Sequence, residues 1–322
     1  MRASVIREFG GAETLTIQEV HRPSAGPGDI LVKVFACGVN PVDAKIRRGA
    51  LPIPVTFPLI LGYDVSGVVE SVGEGVTDFK AGDEVFYTPG LAGQGAYAEY
   101  HAVPASIASL KPEGYSHVEA ASVPLAGSTA WQALFERATV QSGDVVLIHG
   151  GEGGVGSLAV QLARWAGCEV IATAGPENLG YLEELGADLA LDYRRANFVD
   201  QVMEATVGRG ADVILDTVGG EVFLKSFDAL APGGTVVTVV SETMRGLPLD
   251  GLAQAFFKNA DACFHFMRPS RASLDNLARL MEREFLLPQV EEVLALEEAA
   301  QAHRRMDSGH GRGKIVLELV EE

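Results

Sequence analysis

One short run constrains the fold more than any other. Gly151-Glu152-Gly153-Gly154-Val155-Gly156 fits the spacing G-x-G-x-x-G. In a chain with 37 glycines the pattern alone means little, but its neighbours give it weight. Val145–His149 (VVLIH) reads as a short buried strand, and Leu158–Ala166 (LAVQLARWA) is apolar at helical spacing. A strand, a glycine turn and a helix N-terminus in that order make a cradle for a pyrophosphate. The turn is tight, the ligand approaches bare backbone, and the helix end offers free N–H groups with partial positive charge. The plainer reading is a strand–helix turn that binds nothing.

The segments that follow favour the cradle. Glu169–Thr173, Leu189–Leu191, Asp212–Asp216 and Thr235–Val240 read as strands, with Ala262–Met267 as a sixth. Leu179–Leu185, Phe198–Val207 and Glu221–Leu230 read as the helices between them. Such alternation predicts right-handed βαβ units and a doubly wound parallel sheet. Before residue 122 the pattern differs. Ile30–Phe35, Val65–Val72 and Glu84–Tyr87 are Val-rich or β-rich, with turn signals at Gly73-Glu74-Gly75 and Ala81-Gly82-Asp83. An irregular all-β barrel is expected there. The tail holds amphipathic helices at Leu274–Phe285 and Leu296–Met306 and a last strand at Gly313–Val320. With no seventh βα unit, the tail is expected to return to the first domain. The reading is an α/β chain with a β-rich domain in 1–122 and 268–322 around a dinucleotide-binding domain in 123–267.

Composition narrows the partners. Lys plus Arg is 25 and Asp plus Glu is 43, a formal charge of −18, which repels nucleic acid and anionic membranes. Cys37, Cys168 and Cys263 contain no C-x-x-C pair, against a disulfide framework or a zinc lobe. No signal peptide and no apolar run of about 18 residues is visible, so a cytoplasmic chain is expected.

Several motifs resemble one family. GVNPVD (38–43), PLILGYDVSGVVESVG (58–73), FKAGDEVF (79–86), GAYAEY (95–100), AASVPLAGSTAWQAL (120–134), the glycine segment 146–167, LGADLALDY (185–193) and GKIVL (313–317) are similar to medium-chain dehydrogenases/reductases. The likeness is to the zinc-free, quinone oxidoreductase-like branch that includes ζ-crystallin. It implies a GroES-like catalytic domain plus a Rossmann domain, and a homodimer. It implies NAD(P)H as cofactor, with NADPH favoured by the resemblance alone.

The resemblance also locates a site. The family's zinc ligands fall on Asn40, Tyr63 and about Leu125, which make no soft metal site. Without a Lewis acid, reduction of a quinone or an α,β-unsaturated carbonyl needs only hydrogen-bond donors for the developing oxyanion. A metal-free alcohol or aldehyde dehydrogenase and a non-catalytic nucleotide-binding protein are the alternatives. The catalytic candidates are Tyr63, Asn40 and Lys45. Against them stand an aromatic filling the space of the metal, a turn-capping Asn before Pro41, and a solvated lysine. The expected cofactor contacts are Asn40, Thr129, Gly151, Gly153, Gly154, Val155, Gly156, Ala174, Glu177, Asn178 and Tyr193. The end of the second βα strand reads Ala174-Gly175-Pro176-Glu177-Asn178, so Glu177 stands where NADPH-using relatives carry a cation. The residues leave NAD against NADP open. His149 and Cys37 are read as packed core neighbours.

Overall fold

The computed structural model of the chain describes residues 1–195, 197–244, 249–309 and 311–320. They form two compact units. One is Met1–Ser128 with Arg268–Glu284 and Pro288–Glu322; the other is Thr129–Met267 with Phe285–Leu287. The first boundary thus falls past residue 122, inside a helix that has no turn signal to break it.

The β-rich unit begins with β1 (Arg2–Ile6), β2 (Thr16–Glu19), β3 (Asp29–Gly38), α1 (Pro41–Arg47), β4 (Leu59–Ile60), β5 (Val65–Val72) and β6 (Glu84–Tyr87). It continues with β7 (Tyr100–Pro104), β8 (Ser109–Leu110), α2 (His117–Ala121) and the start of α3 (Pro124–Trp131). β3 is the organising strand. It pairs antiparallel with β5 on one side and β7 on the other, and its Ile30, Val32 and Val34 are enclosed. The helices here are short, which is why no long periodicity marks them. Pro41 starts α1 after the N-cap Asn40, and the Ser116/Glu119 capping box starts α2.

The second unit runs β9 (Val145–His149), α4 (Gly154–Trp165), β10 (Glu169–Ala174), α5 (Leu179–Glu184), β11 (Leu189–Asp192) and α6 (Phe198–Ala205). It then runs β12 (Ala211–Asp216), α7 (Glu221–Ala229), β13 (Leu230–Thr238), α8 (Leu249–Lys258) and β14 (Asp261–Phe264). All neighbouring strands are parallel, in the order β11-β10-β9-β12-β13-β14. In that doubly wound order the strand direction of travel reverses beside β9, where ligands bind at the carboxyl ends. Strands β9, β10 and β12 are enclosed on both faces and therefore read as continuous apolar runs.

The tail supplies α9 (Arg271–Glu282), β15 (Val290–Ala295), α10 (Ala299–Asp307) and β16 (Lys314–Glu318). β16 pairs antiparallel with β3, Val316 opposite Gly38, and parallel with β15. The last strand is thus an inner strand of the first unit's sheet, in the order β15-β16-β3-β5-β6-β8.

Three enclosed histidines make the fold sensitive to acid. Burial pushes His101 down to about 4, and His149 and His303 to about 3, with the Arg47 guanidinium also acting on His303. Burial pushes the Asp43 carboxyl up to about 7. The linkages oppose each other. As pH falls from about 6.5 to about 4, the unfolded chain binds protons on three histidines and the folded chain binds one on Asp43. The net is 3 − 1 = 2 protons, or about 2.7 kcal/mol lost per pH unit from these four groups. Denaturant titrations should show the unfolding free energy dropping by about 2 kcal/mol from pH 6 to pH 5. An equal value at both would mean the histidines are not buried neutral.

Candidate active site

The glycine loop joins β9 to α4, and its glycines do different work. A Cβ on Gly156 would lie 2.1 Å from the Gly150 carbonyl oxygen, and one on Gly151 would lie 2.8 Å from a Leu182 methyl. Those two glycines let the helix and sheet approach. Gly153, the N-cap of α4, has an ordinary φ of −78°, and its Cβ would meet nothing closer than 3.5 Å. No protein contact requires a glycine there, so the space before the helix end suits a ligand that needs bare backbone. Gly154, Val155 and Gly156 form the first turn of α4, whose N–H groups have no partner within the helix. These residues fit a dinucleotide pyrophosphate.

Beyond Ala174, the enclosed end of β10, lies a charged cluster. The Gly175 N–H donates to Glu152 Oε1 (3.3 Å), which tethers the loop's one charged side chain to the strand end. Burial, seconded by Glu177, holds the Glu152 carboxyl above its usual range. Glu177 and Asn178 sit in the turn Pro176–Asn178. Arg194 donates to both Glu177 oxygens (3.3 and 3.4 Å) and to the Tyr193 hydroxyl (3.3 Å). The carboxylate that stands where a cation is expected is therefore paired with the arginine that follows the next strand, β11. Thr129 is enclosed within α3.

In the β-rich unit a second cluster surrounds Asn40. Its amide N–H₂ donates to Asp64 Oδ2 (2.8 Å), and its amide oxygen accepts from Lys314 Nζ. Lys314 Nζ also pairs with Asp64 Oδ2 at 2.7 Å, and both side chains are enclosed. Asp64 Oδ1 accepts the Leu125 N–H. The Asp43 carboxylate accepts N–H groups from Asn40 and Gly62, both at 2.8 Å. Tyr63 is fully enclosed, and its hydroxyl has no hydrogen-bond partner among the described residues. Burial and nearby Asp43 push its phenol well above the usual range. Lys45 on α1 is half-buried.

The structure thus brings Asn40 together with Asp64, Leu125 and Lys314, and sets the glycine loop beside Glu152, Gly175, Glu177 and Arg194. Lys314 and Asp64 were not singled out by sequence. The signal was a lysine and an aspartate each embedded in an apolar strand context, which requires a buried partner. Zinc does not suit the ligand positions. The amide oxygen of Asn40 already faces an ammonium, position 125 offers an apolar side chain, and burial pushes the Cys37 thiol up, away from thiolate. Among the described residues no three His, Cys, Asp or Glu side chains converge to hold a metal ion.

Comparison with known proteins agrees with this architecture. Residues 26–113 match the alcohol dehydrogenase GroES-like domain, and residues 185–317 match a family described as zinc-binding dehydrogenase. The quinone oxidoreductase of Sus scrofa is 34% identical over 99% of this chain and 98% of its own. The chain belongs to the medium-chain dehydrogenase/reductase family. It is an oxidoreductase dependent on a nicotinamide cofactor. Among solved structures, an NAD-dependent alcohol dehydrogenase superposes with a TM-score of 0.93 at 33% identity, covering 99% of this chain and all of its own. Escherichia coli quinone oxidoreductase complexed with NADPH superposes at 0.90 and 28% identity, with the same coverage.

Gly153→Asp tests the cradle. The backbone and space admit the side chain, but its carboxylate would face the pyrophosphate. The dissociation constant for NADPH or NADH should rise by roughly a hundredfold, with the melting temperature within about 2 °C of the parent. Unchanged affinity would place the cofactor elsewhere.

Proposed function

We propose that this enzyme reduces quinones or α,β-unsaturated carbonyl compounds with NAD(P)H and without zinc. The observation that carries the reading is that Asn40, at one of the positions where a metal would need a ligand, is engaged by Lys314 and Asp64. The name of the Sus scrofa relative supports the substrate class. With its pyrophosphate held by the glycine loop, a bound dinucleotide would supply hydride from its nicotinamide ring. The chain's own part is to bind and orient the dinucleotide and to place a donor at the carbonyl oxygen on which charge develops. Of the three candidates, Asn40 and Tyr63 are enclosed, whereas Lys45 retains partial exposure. Lys45 is the donor in this reading, and Tyr63 fills space.

Oxidation of NADPH or NADH by a panel of quinones and enones, followed at the nicotinamide absorbance, tests the activity. Retained turnover after dialysis against a chelator is expected. Oxidation of alcohols alone would favour the metal-free dehydrogenase, and no turnover with any substrate would favour a binding protein. Lys45→Met should lower kcat by roughly tenfold or more, while Tyr63→Phe should leave it within about twofold. Tyr63→Phe should not lower the melting temperature, since it removes an unpaired buried hydroxyl. The opposite pattern would make Tyr63 the donor.

Cofactor choice follows from the Glu177–Arg194 pair. A 2′-phosphate would meet a neutralised pair, neither attracted nor repelled by a net charge. NADPH and NADH are therefore expected to serve within about tenfold of each other. Glu177→Lys should shift kcat/KM toward NADPH by roughly tenfold or more. A thousandfold preference in the parent would mean that Glu177 does not face the 2′ position.

The reading includes a cytoplasmic homodimer. No described helix is long and apolar enough to cross a membrane. Among the described residues β14 pairs only with β13, at the end of its sheet, with Phe264 and Phe266 exposed on and just past it. An open, apolar sheet edge supports pairing with a second copy.

A further inference from the structure

His149 lies at the end of β9, directly before the glycine loop, and both of its ring nitrogens are engaged. Nδ1 is 3.2 Å from Thr173 Oγ1, and Nε2 is 3.2 Å from Ser226 Oγ. The direction of each bond can be worked out. Ser226 Oγ donates its one hydrogen to the Val222 carbonyl oxygen at 2.7 Å, as helical serines do. Toward His149 it can only accept, so Nε2 carries the ring proton. A neutral imidazole then presents a lone pair at Nδ1. Thr173 must donate to it, which turns the threonine's own lone pairs toward the Gly150 N–H, 3.3 Å away. The chain of donation therefore runs from Gly150 N–H to Thr173, to His149, to Ser226 and to the Val222 carbonyl on α7. The His149 carbonyl oxygen accepts from Thr217 Oγ1 (2.7 Å), and the ring stands edge-on to Phe198, so the imidazole cannot turn. Burial keeps it neutral.

We propose that His149 is a positioning residue for cofactor binding: through Thr173 it fixes the Gly150 amide, and with it the entrance of the glycine loop, in the arrangement that receives the dinucleotide. The inference rests on the reading of that loop as the NAD(P)H site. Its content is the polarity. An acceptor at the Nδ1 position keeps the Thr173 oxygen facing the loop, whereas a group that only braces Ser226 leaves Thr173 free to turn its hydrogen toward the Gly150 N–H.

The test compares variants that keep one half of the relay. His149→Asn can keep the acceptor toward Thr173, and His149→Gln can keep the reach toward Ser226. Thr173→Val is isosteric and removes the relay, whereas Thr173→Ser retains it. Titrations with NADPH, NADH and ADP-ribose, melting temperatures, and KM and kcat are measured for each. His149→Asn and Thr173→Ser should bind within about threefold of the parent, and His149→Gln and Thr173→Val roughly tenfold more weakly, with kcat at saturating cofactor within about twofold. If affinity simply follows melting temperature, or Thr173→Val binds like Thr173→Ser, His149 is structural only and the proposal fails. Should the histidine variants not fold, the threonine pair decides alone. If the parent binds none of the three ligands, the glycine-loop reading itself falls, an outcome distinct from a parent that binds and variants that match it.

Discussion

The enclosed Lys314 ammonium, 2.7 Å from Asp64, joins two parts of the β-rich unit that are 250 residues apart in sequence. A buried charge is tolerated only when paired and hydrogen-bonded. Lys314 meets that demand with Asp64 and the Asn40 amide, and Asp64 meets it with Lys314, Asn40 and the Leu125 N–H. Removing the lysine alone would leave a carboxylate uncompensated, at about 3–5 kcal/mol. The pair ties the start of β16, which lies beside β3, to the loop before β5.

In the second unit the enclosed His149, Thr173 and Ser226 satisfy one another without an ion pair. Asp216 shows the same economy at the end of β12, accepting from the Val218 and Gly219 N–H groups and from Thr238. Both devices sit at strand ends next to loops that must hold one shape. Rigid loops on a parallel sheet are what a site for a long, anionic cofactor requires, since each ångström of misplacement weakens several hydrogen bonds at once.

What the sequence revealed depended on contiguity. The alternation of VVLIH, EVIAT and DVILD with helical runs is local, and the glycine loop is six consecutive residues, so sheet type and cradle were both legible. Helix α8 was not read, because Phe256 and Phe257 face solvent and blur the apolar stripe that marks a buried helix. Helices α1 and α2 carry cap signals but are too short for periodicity. The Lys314–Asp64 pair was hidden for another reason: it joins residues from distant segments, and a single sequence does not report such spatial pairing. Arg194 was within reach of the sequence, because it follows the third strand at the same sheet edge as Glu177. Tyr63 stood in plain view by motif, but its complete enclosure is a property of the folded unit that no local pattern reports.

Two of the residues that the family resemblance sets at metal-ligand positions share one partner, Asp64. Asn40 and Leu125 both send an N–H to Asp64, one from a side chain and one from the backbone. In each case the group turned toward the carboxylate is a donor, whereas a metal ligand must be an acceptor. The positive charge that this carboxylate attracts is supplied permanently, by Lys314 from the last strand. A zinc ion placed near Asn40 would therefore compete with an ammonium already held by its amide oxygen, and would add like charge to an enclosed site. Lys314 places a covalently tethered cation beside Asn40 and Asp64. A tethered ammonium spent on Asn40 and Asp64 cannot polarise a carbonyl as strongly as an open metal can. Chemistry that needs only modest stabilisation of an oxyanion, as conjugate and quinone reduction do, is what such a site can still perform.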